Sequence, residues 1–242
     1  MRLYRLGNGS ALNPKKTNSS FMVFGDKANM LIDCGYNVYQ KLEAEYKVND
    51  KLKYIFITHM DDDHIGSLRA LMYDLYFKHK TIPTILCCDD VYDRLKVYLE
   101  DHTGVMKNYN KEPEILFNMV SLINDRPYNI DLNNYTDFTI KTFENKHFQS
   151  GSGISMFNYA THNGISITSD TIPCENIAEE FELMTTRCKK YTMFHDYSNW
   201  NEPAMQVHAC SDSIIKCYQP KMVSRLKFYH NDAIVNKKTI EF

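Results

Sequence analysis

With 242 residues, 43% of them hydrophobic, and a net charge of −2 from 28 basic and 30 acidic side chains, the chain is that of an ordinary globular protein. It lacks the basic surplus expected of a protein that grips long polynucleotides. The odd number of cysteines, the absence of CxxC pairs and the lack of an apolar stretch behind Met1-Arg2 point to reduced thiols in a cytoplasmic protein, and no apolar run approaches the roughly 20 residues of a membrane span.

In chain order, a strand is predicted over 2–6, followed by a turn at Gly7-Asn-Gly-Ser10. Apolar runs at 20–24 and 29–33, bounded by turn residues, predict a hairpin around Gly25-Asp26. A short helix over 36–46 leads to the YIFIT run at 54–58, whose continuous apolar, β-branched character marks a buried strand. Ile65, Leu68, Leu71, Met72 and Leu75 then recur at helical spacing within 64–78. A strand at 82–87 and a helix at 91–99 follow. Residues 103–134 carry no readable period. Strands return at 137–144, 153–159 and 164–169, the last two joined through an Asn-Gly turn. Then come a helix at 172–185, a strand at 191–195, a helix at 211–217 and a strand at 223–229. No repeat or linker divides the chain, so residues 1–242 read as one α/β domain, two β-rich halves with helices stacked as an αββα sandwich.

Chemistry concentrates behind the YIFIT strand. His59, Asp61, Asp63 and His64 place four metal-competent side chains within six residues at a strand's end. Neutral imidazole and hard carboxylate together suit Zn²⁺, Mn²⁺ or Mg²⁺. A bare acidic loop would serve equally well as a cap for the next helix. The two histidines at this spacing favour metal.

Thr58-His-Met-Asp-Asp-Asp-His64-Ile-Gly66 resembles the Thr-His-x-His-x-Asp-His stretch of the metallo-β-lactamase superfamily, with Asp61 where most members carry His. That His-x-Asp-x-Asp-His form is similar to the lactamase-like domain of DNA-uptake competence proteins, and it makes the first site harder, favouring Mn²⁺ or Mg²⁺ over Zn²⁺. Gly7-Asn-Gly-Ser10-Ala11, Leu31-Ile-Asp-Cys-Gly35, His147 before Gly151-Ser-Gly153, Ser166-Ile-Thr-Ser-Asp170 and Phe228-Tyr-His230 resemble further superfamily motifs in the required order, with Ser169 where Gly is usual. The resemblance implies a metallo-β-lactamase sandwich of two mixed sheets flanked by helices. It also implies two divalent ions, one on His59, Asp61 and His147, the other on Asp63, His64 and His230, with Asp170 between them. Two such ions roughly 3.5–4 Å apart generate hydroxide at neutral pH for an in-line displacement at phosphorus.

His195-Asp196-Tyr-Ser198 and Val207-His208-Ala209 resemble paired motifs of RNase Z-like enzymes. That likeness makes His208 the general acid for the leaving oxygen, Asp196 its orienter, and Asp63 a further catalytic carboxylate. RNase Z proper carries a Gly/Pro-rich arm that grips tRNA, and none of that composition lies between Thr171 and His195. The armless pattern is similar to the anti-Pycsar phosphodiesterases that phages use, which hydrolyse cyclic mononucleotides as homodimers. The expectation is therefore a homodimeric enzyme acting on small cyclic nucleotides, with a nuclease of the same branch or a non-catalytic binding protein as alternatives. His79, His102, His162 and Pro14-Lys15-Lys16 fall outside the motifs and read as surface or turn residues.

Overall fold

Strands β1 (Arg2–Gly7), β2 (Ser20–Phe24), β3 (Asn29–Ile32), β4 (Leu52–Phe56), β5 (Thr84–Cys88) and β6 (Asn118–Leu122) come from the N-terminal half of the chain. The C-terminal half supplies β7 (Pro127–Asn129), β8 (Phe138–Glu144), β9 (Ser152–Asn158), β10 (Asn163–Ile167), β11 (Lys190–Asp196) and β12 (Leu226–Tyr229), while β13 (Ile240–Glu241) returns to the first sheet. The first sheet runs β13-β1-β2-β3-β4-β5-β6 and the second β12-β11-β10-β9-β8-β7. Both are mixed: β3 to β6 pair in parallel beside an antiparallel β1–β2–β3, and β10 to β12 pair in parallel beside an antiparallel β7 to β10. This computed structural model describes residues 2–11, 13–100, 116–133, 138–147, 151–198, 208–230 and 240–241.

Helices α1 (Val38–Tyr46), α2 (Asp62–Ile65), α3 (Leu68–Phe77) and α4 (Asp89–Glu100) accompany the first sheet. Helices α5 (Glu175–Arg187), α6 (Ser211–Cys217) and α7 (Pro220–Val223) accompany the second. The layering follows from side-chain alternation. Ile32, Phe56, Ile140, Ile154, Ile167 and Phe194 fill the space between the sheets. Their neighbours Leu31 and Ile55 face the other way, onto Leu68, Leu71 and Leu75. Because β3 and the end of β4 are buried on both faces, residues 30–32 and 55–57 read as continuous apolar runs and not as alternating ones.

The structure corrects several expected boundaries. The helix expected over 64–78 is two pieces, because Ser67 N–H turns aside to donate to Cys34 O at 3.0 Å and sets the backbone of residues 66–67 against the preceding loop. The helix expected from 172 begins at Glu175: Ile172 bridges to Lys146, and Pro173 holds its predecessor extended. The last strand starts three residues late because Pro220 opens a helical turn over Pro220–Val223. Within 103–134, β6 and β7 are half-exposed edge strands, which left no apolar run to detect. Residues 101–115, including His102, and Val207 lie outside the described residues, as does Asp137 of the strand expected over 137–144. All seven cysteines are free thiols.

Candidate metal centre

The residues singled out in the sequence meet at one end of the sandwich, where β4, β10, β11 and β12 finish and the turn after β8 comes over. Ser152 N–H donates to Thr58 O at 3.2 Å and ties the two sheets together there. Two groups form. In the first, Asp61 Oδ2 lies 3.5 Å from His59 Nε2 and 3.9 Å from His147 Nε2. In the second, Asp63 Oδ2 lies 3.2 Å from His230 Nε2 and 3.6 Å from His64 Nε2. Asp170 stands between them, with Oδ1 3.4 Å from His64 Nε2 and Oδ2 4.0 Å from His59 Nε2.

Local backbone chemistry explains why this sequence holds that geometry. Asp33 leaves β3 with φ 60° and aims its carboxylate at the metal loop. It accepts from Thr58 N–H and Thr58 Oγ1, each at 2.9 Å, and from His64 Nδ1 at 2.8 Å. A carboxylate on Nδ1 fixes the tautomer that presents Nε2 to a cation. Gly35 is obligatory beside it, since a Cβ there would sit 1.9 Å from Asp63 O. Across the site, Asn145 Nδ2 donates to Thr168 O at 3.0 Å and Asp170 O at 3.3 Å, holding the turn that carries Asp170. Ser169 in that turn has φ 63°, the conformation for which glycine is the usual occupant. Its hydroxyl lies 3.2 Å from His59 Nδ1, a contact that glycine cannot make.

Asp196 ends β11 and is fully buried. One oxygen takes Thr171 N–H and His208 Nδ1, each at 2.9 Å. The other lies 3.4 Å from His230 Nδ1. The sequence paired Asp196 with His208 only, so its place beside His230 is new. Asp33 and Asn145 were given no role from sequence. For Asp33 a signal existed, the Leu31-Ile-Asp-Cys-Gly35 resemblance; nothing marked Asn145.

The electrostatics follow from crowding carboxylates and imidazoles away from water. Burial would push Asp170 up, but the charges of His230 and His64 hold it well below the usual carboxylate range. Burial disfavours a proton on His64, yet Asp170, Asp63 and Asp33 raise it well above the ordinary imidazole value. Burial acts the same way on His230, and Asp170 and Asp196 likewise outweigh it. In the first group, the His59 imidazole 3.5 Å away leads in lowering Asp61, whereas His147 is lowered by burial and by His59. Among the described residues, His59 Nε2, His64 Nε2 and Asp170 Oδ1 are buried without a hydrogen-bond partner. Convergent nitrogen and oxygen donors left unsatisfied in this way are costly unless a cation meets them, so the donor set fits divalent metal ions.

Comparison with known proteins agrees with this architecture. Human tRNase Z, short form, superposes with a TM-score of 0.71 at 17% identity, covering 100% of this chain and 99% of that one. The metallo-β-lactamase fold protein YhfI from Bacillus subtilis gives 0.69 at 14% identity over 97% and 88%. These likenesses establish the metallo-β-lactamase fold. Among sequences, an anti-Pycsar protein Apyc1 from Saccharibacillus brassicae is 30% identical over 95 residues, 39% of each chain. One from Bacillus phage 010DV004 is 44% identical over 72 residues, 29% of this chain and 28% of the relative. The matched stretches thus span well under half the length of these relatives. The family model described as anti-Pycsar protein Apyc1 matches residues 1–241, and the chain belongs to that family.

Proposed function

We propose that this chain is a metal-dependent phosphodiesterase that opens small cyclic nucleotides, working as a single domain over 1–242, as a homodimer, in the cytoplasm of a bacterium or phage-infected host. Among the described residues no helix is long and apolar enough to cross a membrane. His59, Asp61 and His147 would hold one divalent ion and Asp63, His64 and His230 a second, with Asp170 shared. Two ions so held would supply activated water and neutralise charge growing on the phosphoryl oxygens. Each group offers two imidazoles and a carboxylate besides Asp170, and Asp61, standing where histidine is usual, makes the first group harder and shifts it toward Mn²⁺ or Mg²⁺.

The observation that carries a phosphodiester substrate is the acid held beside the metal groups. The His208 ring lies 4.8 Å from that of His230 and 6.1 Å from that of His147. Burial lowers its proton affinity, but the Asp196 hydrogen bond and charge more than reverse this, so His208 titrates above an ordinary histidine. With Nδ1 committed to Asp196, Nε2 is the atom that can deliver a proton to a departing alkoxide, a leaving group that needs one. Asp63 completes the catalytic set as the carboxylate of the second group, its Oδ2 3.2 Å from His230 Nε2 and 3.6 Å from His64 Nε2. A small substrate accords with the net charge of −2.

The test is to incubate purified protein with 3′,5′-cyclic mononucleotides and with fluorescent oligonucleotides under Mn²⁺ and Zn²⁺. The cyclic compounds should become linear monophosphates while the oligonucleotides stay intact. Cleavage of oligonucleotides alone would overturn the substrate assignment, and a protein that binds no divalent ion would overturn the enzyme assignment.

A further inference from the structure

The outer face of the second sheet carries a polar group that none of this chemistry uses. On β8 and β9, Phe138, Ile140, Ile154 and Met156 point into the core between the sheets, so Lys141, Ser155 and Phe157 point away from it. There Lys141 forms an ion pair with Glu180 of α5, which is only 4% exposed, and Ser155 donates to the same carboxylate. Elsewhere the layer between this sheet and its helices is apolar, built on residues such as Phe143, Ile177 and Phe181. A buried ion pair is costly to desolvate and is weak evidence of a stabilising role, so its presence here calls for another use.

Lys141 and Ser155 of that group line a cavity of about 490 Å³, together with Asp125, Phe157, Tyr159 and Arg187. The size falls in the range of small-molecule sites. It lies away from the metal centre: the Thr139–Phe157 rung borders the cavity, whereas the Glu144–Ser152 rung leads to His147. Five strand residues separate the two rungs, roughly 17 Å.

We infer that this cavity binds a small planar aromatic molecule carrying one phosphate or carboxylate. The rings of Phe157 and Tyr159 stand perpendicular at 4.5 Å, and Tyr159 is half exposed, which offers a ring both a face and an edge. Lys141 is neutralised by Glu180 and by Asp125 at 3.3 Å, which leaves one of its three ammonium donors for a ligand acceptor. Arg187, in the last turn of α5, is exposed and makes no hydrogen bond or ion pair among the described residues. Its planar fork matches a phosphate or carboxylate, and with Lys141 and Arg187 set against Glu180 and Asp125 the surroundings accept no more than one anionic group.

The experiment is calorimetric titration of the full chain with 5′-AMP, indole-3-carboxylate, adenosine and inorganic phosphate, repeated on Arg187→Gln, Tyr159→Ser and His59→Ala. Arg187 and Tyr159 are exposed, and unchanged melting temperatures would show that their variants fold. At least one aromatic anion should bind; Arg187→Gln and Tyr159→Ser should weaken it, the former by about tenfold or more, while His59→Ala leaves it intact. Adenosine and phosphate alone should bind far more weakly. Binding of 5′-AMP without indole-3-carboxylate marks a nucleotide site, and binding of both a general aromatic-acid site. No binding at millimolar concentration, or binding that survives Arg187→Gln and is lost in His59→Ala, would overturn the inference.

Discussion

The two candidate ligand groups share a carboxylate yet are built differently. Asp63, His64, Asp170 and His230 are all buried, and both imidazoles stand beside carboxylates, His64 hydrogen-bonded to Asp33 at 2.8 Å and His230 3.4 Å from Asp196. In the other group Asp61 is 31% exposed, His59 leans on the neutral hydroxyls of Thr58 and Ser169, and His147 Nδ1 has no partner among the described residues. Carboxylate-backed imidazoles are more basic and better oriented ligands than hydroxyl-backed ones. The second group is therefore expected to hold its ion tightly, and the first to exchange.

Asp170→Ala would erase the comparison by removing the side chain that lies between both groups; both ions should be lost and activity should fall to background, read by metal analysis and turnover together. His208→Ala should slow turnover by about 10²–10⁴ while leaving metal content intact. Loss of metal on that substitution would instead make His208 a ligand, since it also lies within reach of Asp170 and His230. Asp33→Asn tests the buried group first: affinity there should drop about 10–100-fold, with a smaller fall in the Asp61 group, which Asp33 reaches through Thr58, as chelator titration in two steps would reveal.

The parts of this picture that were legible in sequence are those with dense local signals. The YIFIT strand and the His59–His64 segment lie within a few residues of each other, and the burial of Ile55, Phe56 and Ile57 on both faces makes that apolar run unmistakable. His147, Asp170 and His230 carried no signal of their own and became readable only through the order of the motifs around them. What stayed hidden depends on three-dimensional neighbours. Gly66-Ser67 breaks a helix whose apolar spacing continues across the break, because the competing partner, Cys34 O, is 33 residues upstream. Asp196 gained its second partner, His230, only once β11 and β12 paired in register, Asp196 opposite Tyr229. The Lys141–Glu180 pair joins a strand to a helix 39 residues away and leaves no local pattern.

Ser169→Gly is the finest probe of the contrast between the groups. Glycine would relieve the left-handed backbone at φ 63°, a gain of about 1–2 kcal/mol, but would lose more chain entropy on folding, about 0.5–1 kcal/mol. It would also give up the hydroxyl 3.2 Å from His59 Nδ1, a hydrogen bond of about 0.5–1.5 kcal/mol. These contributions nearly cancel, so unfolding in denaturant should show stability unchanged within about 1 kcal/mol. The ligand effect does not cancel. Thr58 Oγ1 remains 3.0 Å from the same nitrogen, so His59 keeps one of its two supports, and affinity in the Asp61 group should fall by a factor of about ten or less. The Asp33-backed group should not change at all. A fall in both groups would mean that the Asp170 turn itself had moved, and that the serine acts on the shared carboxylate and not on His59.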